Sequence, residues 1–109
     1  MRQHRREDNM KVIVKKPNEK YGNMVEIDGE LSTLQEIVEG YIEILPLGKH
    51  LLICNEDGKS MRLDPNINYN MFDTIVGTII VCDRKMQELT DISITMEEWK
   101  RLVDTQLHL

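Results

Sequence analysis

Aromatic side chains are scarce in this sequence, at 5% with a single Trp and a single Phe. A core must therefore be built from Ile, Val, Leu and Met, with Trp99 and Phe72 as its only large anchors. Long apolar runs are missing too: none approaches the roughly 20 residues that a membrane-spanning helix needs. No apolar stretch follows the charges of residues 1–9, so that segment does not read as a secretory signal. Cysteine is limited to Cys54 and Cys82, both inside apolar runs and without a C-x-x-C pair, which speaks for two buried reduced thiols rather than a disulfide framework. The three histidines, His4, His50 and His108, are scattered, and no metal or cofactor is expected. The G-x-G-x-x-G, P-loop, H-E-x-x-H and EF-hand spacings are all absent from the sequence.

What is present is a soluble-type composition: 109 residues, 40% hydrophobic and 30% charged, enough for one domain with a modest core. The net charge of −5 argues against general nucleic-acid binding, which needs clustered Lys and Arg. The charge is also segregated. Glu26, Asp28, Glu30, Glu36, Glu39 and Glu43 lie in a stretch, 24–47, that contains no Lys or Arg, whereas Lys11, Lys15, Lys16 and Lys20 crowd the segment before it.

Residues 1–9 are polar and aperiodic and read as a disordered leader, leaving 10–109 as a single α+β domain. Residues 11–15 form a β-branched run ended by Pro17, and 24–27 form its return strand. Ser32-Thr33-Leu34-Gln35 has the form of a capping box, followed by Leu34, Ile37 and Val38 at helical spacing and Gly40 as a stop. Residues 41–45 and 50–54 alternate as strands, and Asn55-Glu56-Asp57-Gly58 is a turn with 60–63 pairing back after it. Residues 64–70, with Pro65 and three asparagines, read as a loop. Residues 74–82 form the most β-branched run, a central strand buried on both faces and interrupted once, at Gly77. Thr95-Met96-Glu97-Glu98 is a second capping box, opening a helix whose face is Met96, Trp99, Leu102, Val103 and Leu107. The expected architecture is a small mixed or antiparallel sheet with one short and one C-terminal helix on one face. A β-grasp-like arrangement, with a hairpin cradling a helix, is the favoured variant. Open sheet edges leave room for a homo-oligomer, which the sequence does not fix.

No catalytic constellation is legible, and the chain is not expected to be an enzyme. His50 and Cys54 share a strand face but read as strand residues rather than as nucleophile and base. Glu56 and Asp57 could act as an acid–base pair or cation ligands, against the plainer reading of a solvated turn. The Asn66, Asn68 and Tyr69 loop is the best site on composition, because loops on a rigid scaffold carry binding groups. An acidic surface including Glu36, Glu39 and Glu43 invites a basic partner. With Asn55, Glu56 and Asp57 from the turn, these nine are the candidate binding residues.

Read as a string, the sequence after Asn9 resembles a family of small phage and mobile-element proteins from Gram-positive bacteria, a DUF3846-like domain of unknown function. The resemblance is carried by Met10-Lys11-Val12-Ile13-Val14, by residues 34–43, ending in Gly40-Tyr41-Ile42-Glu43, and by residues 52–59 with their Cys54-Asn55-Glu56-Asp57-Gly58 turn. It continues through Leu63-Asp64-Pro65-Asn66 and Ile75-Val76-Gly77-Thr78. An Arg commonly follows the Pro-Asn of that loop in the family pattern, where this chain has Ile67. The resemblance implies an accessory protein working in the bacterial cytoplasm, and it supplies no catalytic residue to transfer.

Together these readings describe a non-catalytic protein that binds a host macromolecule through an acidic surface. A basic nucleic-acid-processing enzyme, such as a CRISPR-Cas or restriction nuclease, is the expected partner, with an anti-defence role and no direct contact to nucleic acid or membrane. The alternative is a small-molecule binder that sequesters a nucleotide signal at the polar 64–69 loop.

Overall fold

A computed structural model describes residues 9–109; the leader expected over 1–9 lies, Asn9 apart, outside the described residues. The strands are β1 (Met10–Lys15), β2 (Asn23–Ile27), β3 (Ile42–Leu47), β4 (His50–Asn55), β5 (Pro65–Asn70), β6 (Asp73–Val76), β7 (Ile79–Lys85) and β8 (Glu88–Thr90). The helices are α1 (Leu31–Val38) and α2 (Met96–Leu102), the latter running on into a π-helical turn, Val103–Leu107. The main sheet has the order β2-β1-β7-β4-β3, with β8 on β7, and every pair is antiparallel. Thus β2, β3 and the short β8 are its edges. Strands β5 and β6 form a separate antiparallel hairpin.

Strand alternation decides what covers each face of the sheet. Val12, Ile53, Ile80 and Cys82 pack with Leu34 and Val38 of α1. Ile13, Leu52, Cys54 and Val81 pack instead with Ile67 and Ile75 of the hairpin and with Trp99, Val103 and Leu107 of the C-terminal helix. The helices therefore lie on opposite faces, not on one. Helix α1 lies mainly over β3, β4 and β7, which replaces the expected hairpin-cradled helix. The mixed helix-and-sheet character stands, with the sheet antiparallel throughout.

Several local expectations change for identifiable reasons. The box at Ser32 does not form, because α1 starts a residue earlier: Glu30 is its N-cap and makes no side-chain capping bond. The box at Thr95 does form. Glu98 N–H donates to Thr95 Oγ1 at 3.1 Å, Thr95 N–H donates to Glu98 Oε1 at 2.9 Å, and these bonds hold the Glu98 carboxyl below its ordinary value. The 74–82 run is two strands in two sheets. Gly77 sits at φ +80°, a left-handed turn that a β-branched residue resists, and the chain leaves β6 there to enter β7. Residues 60–63 make turns rather than a strand. Residues 65–70, read as a loop, are strand β5, irregular in register near Asn66 and Asn70. Pro65 is compatible with this because the first residue of a strand can lack a donor.

Cys54 and Cys82 are both buried and free, and each faces a different side of the sheet, so they cannot bridge. Burial, reinforced by Glu43 and Asp73, pushes the Cys54 thiol up to about 11, and burial together with Asp83 pushes Cys82 up to about 12. The native state thus keeps protons that the unfolded chain releases from about pH 9, so this contribution to stability falls as pH rises from about 9 to 12. Buried Lys15, lowered from its ordinary value by desolvation, works in the opposite sense as pH approaches 10.5. The cysteine contribution is isolated by difference: the urea midpoint of Cys82→Ala should decline less between pH 9 and 11 than that of the wild type. Equal slopes would show that the thiol titration does not couple to folding.

Candidate functional site

The site is assembled by one turn and one hairpin. At the end of β4, Asn55 is buried and fully used: its amide donates to the carbonyls of Val38 (3.0 Å) and Glu39 (3.2 Å), and its Oδ1 accepts from Asp57 N–H at 2.7 Å. One side chain therefore caps the C-terminus of α1 and shapes the following turn. Glycine at position 40 follows from that cap, since a Cβ there would lie 2.6 Å from the Asn55 amide nitrogen. Tyr41 C=O accepts from Glu56 N–H at 2.8 Å, and Asp57 C=O accepts from Met61 N–H at 2.9 Å, which fixes the turn against the start of β3.

Opposite stands the β5–β6 hairpin. Asn70 Oδ1 accepts from Phe72 N–H at 2.8 Å, and this local bond orders a tip whose Met71 and Phe72 are 90% and 93% exposed. Tyr69 O–H donates to the Pro46 carbonyl, tying the hairpin to β3, and Lys59 pairs with Asp73 across the gap. Between turn and hairpin lies a cavity of about 390 Å³. Among the described residues, Glu43, Glu56, Asp57 and Asp73 line it against a single ammonium, that of Lys59. The Cys54 thiol in its wall is raised mainly by burial, and Glu43 and Asp73 add to that while Lys59 opposes it.

Five of the nine candidate residues meet in this cleft: Glu43, Asn55, Glu56, Asp57 and Tyr69. Asn55, buried as described, serves as scaffold and has no donor to spare for a ligand. Glu36 lies apart, beside Gly40 and Tyr41 on the outer side of α1, and Glu39 is exposed at that helix's end in a left-handed conformation, φ 67°. Asn68 donates to the His108 carbonyl at 2.8 Å. Asn66 is buried and donates to the carbonyls of Lys15 and Gly77, both at 2.8 Å, while its Oδ1 accepts from the Lys15 ammonium at 2.5 Å. The Asn-rich segment is thus structural at Asn66 rather than open to solvent. Ile67, at the position where the resemblance expects Arg, is fully buried in the core.

Sequence reasoning missed Asp73, Lys59 and Lys15. An Asn70-Met71-Phe72-Asp73 hairpin tip, once recognised, places Asp73 at the mouth of the cleft; nothing in the sequence distinguishes Lys15 from its neighbouring lysines. His50 is buried with its Nδ1 at 2.6 Å from Asp83 Oδ1, an arrangement that leaves it as a strand-pairing contact between β4 and β7. Among the described residues, no group of three His, Cys, Asp or Glu is placed to hold a metal ion, and no helix is long and apolar enough to cross a membrane.

A family model described as "Domain of unknown function (DUF3846)" matches residues 10–105. Neither the curated proteins nor the solved structures contain a match to the chain.

Proposed function

We propose, from the premise that this chain belongs to the DUF3846 family of unknown function, that it is a non-catalytic binding module whose acidic cleft receives a basic segment of a partner protein. The observation that carries this reading is the meeting of four carboxylates around one cavity with, among the described residues, only Lys59 to offset them. Such a field favours an arriving Arg or Lys and repels phosphate, so the nucleotide-sequestering alternative has no support at this cleft. An Arg fits best, since its planar fork engages two carboxylate oxygens at once. Beside the mouth, Met71 and Phe72 give an exposed apolar knob of the residue types enriched at protein interfaces. A partner combining a basic strip with an apolar recess matches both features. A nucleic-acid-processing enzyme offers the basic strip in its substrate groove, and an anti-defence role for a phage or mobile-element protein in a bacterial cytoplasm belongs to the same proposal.

Fluorescence anisotropy with a labelled arginine-rich peptide tests the cleft. Binding should weaken as salt is raised, because exposed charges are screened within roughly 8–10 Å at physiological ionic strength. The double reversal Glu56→Lys/Asp57→Lys should weaken it by about tenfold or more, equivalent to about 1.4 kcal/mol. Both side chains are exposed, so the far-UV circular dichroism should not change. Unaltered affinity in that variant would remove the cleft from the reading. A glutamate-rich peptide of equal length should not bind.

A further inference from the structure

A second cavity, of about 530 Å³, lies on the other side of the β5–β6 hairpin, where the end of β1, the start of β5 and the π-helical turn meet. Its apolar wall comes from Pro17, Ile67 and Val103, and a volume of this size suits a small ligand. The unusual feature is a cation in the wall. Lys15 is 3% exposed, yet no carboxylate pairs with it among the described residues. Its ammonium donates to Asn66 Oδ1 at 2.5 Å and to the Asn66 carbonyl at 3.3 Å. Asn66 has no freedom to do otherwise: both amide hydrogens are committed to backbone carbonyls, so Oδ1 must face the lysine. Two neutral acceptors leave the third ammonium hydrogen without a direct partner, and the charge is met only at longer range, by Glu19. A buried charge in that condition costs free energy that an apolar side chain of equal length would not.

The carboxylates of the cavity are already engaged. Glu19 accepts from Lys16 N–H at 2.9 Å, and Asp104 accepts from the Tyr21 hydroxyl at 2.9 and 3.1 Å with Lys20 Nζ at 3.9 Å. Lys20 also lines the cavity, so two lysines stand against two carboxylates that are each met by donors. The acidic cleft, by contrast, sets four carboxylates against one lysine among its described lining residues.

We propose that this cavity binds a small oxyanion, a phosphate or carboxylate group, with the Lys15 ammonium as its receiving group and Lys20 at the rim. The anion supplies a direct counter-charge where Lys15 has only Glu19 at longer range, and Pro17, Ile67 and Val103 give the site an apolar side. This site is independent of the acidic cleft, and either can fail without the other.

The experiment titrates the whole protein with sodium phosphate or sodium acetate at constant ionic strength, against sodium chloride. Amide ¹⁵N–¹H spectra are recorded together with Tm. Saturable shifts at the Asn66 side-chain amide, Ile67 and Val103, with a Tm about 4 °C or more above the chloride control, are expected. The anion that gives them identifies the ligand class. Lys15→Met should abolish both responses. Should that variant not fold, the map of shifts on the wild type decides alone. Absence of saturable shifts with either anion, shifts confined to Lys11 and Lys16 on the surface, or responses that persist in Lys15→Met would each overturn the proposal.

Discussion

Trp99→Ala should destabilise the protein by about 3–5 kcal/mol. Trp99 is fully buried in the cluster that joins the sheet face, the β5–β6 hairpin and the C-terminal helix. Its indole N–H donates to the Tyr21 carbonyl at 2.7 Å, so truncation opens a large cavity and also orphans a backbone acceptor beside the β1–β2 connection. Domains of this size have about 5–15 kcal/mol in total, so much of the native population should be lost at moderate urea. Urea denaturation followed by far-UV circular dichroism measures this, since the only Trp fluorophore disappears with the substitution. A loss under about 1.5 kcal/mol would mean that the cluster re-packs around the gap. Trp99→Phe should fall between, recovering packing but not the hydrogen bond.

Asn66→Ala should cost about as much, roughly 3–5 kcal/mol, by a different mechanism. It leaves the carbonyls of Lys15 and Gly77 without their donor and the Lys15 ammonium without its nearest acceptor, and each unsatisfied buried group costs about 1–3 kcal/mol. Lys15→Met alone should cost less, about 1–2 kcal/mol, because loss of a buried charge offsets part of the penalty for the Asn66 Oδ1 that it orphans. The double variant should then be more stable than the two single costs added together predict, by about 1 kcal/mol or more, since the charge most harmed by losing Asn66 is gone. Simple additivity in chemical denaturation would show that lysine and asparagine are not coupled.

The elements that were legible in the sequence were those whose local chemistry and tertiary role agree. β1, β2 and β4 alternate or run apolar because the sheet buries them, and the Thr95 box announces α2 because both of its hydrogen bonds are local. β5 was hidden because Pro and three Asn describe a loop, whereas in the fold Asn66 finds its partners 51 and 11 residues away, a fact that no local window contains. The split of the 74–82 run was hidden for a related reason. β-branched propensity says that residues are extended; it does not say that Gly77 turns them into a second sheet. For the cleft, the acidic stretch suggested the sign of the charge but not its composition. Of the six carboxylates between 24 and 47 only Glu43 reaches the cavity, and the others that line it come from the 55–59 turn and the hairpin tip. Proximity along the chain was a poor proxy for proximity in space.

Strand β3 bounds the sheet beside this cleft, and two of its residues bear on how the molecule behaves when crowded. Pro46 pairs with Leu51 on the inner side and has no backbone hydrogen to offer a neighbour on the outer side. Glu43, three residues earlier, is exposed on the same strand. A second molecule approaching this rim in register would meet a gap in the ladder and a repelling charge, which impedes open-ended fibril growth from this side while the cleft stays open.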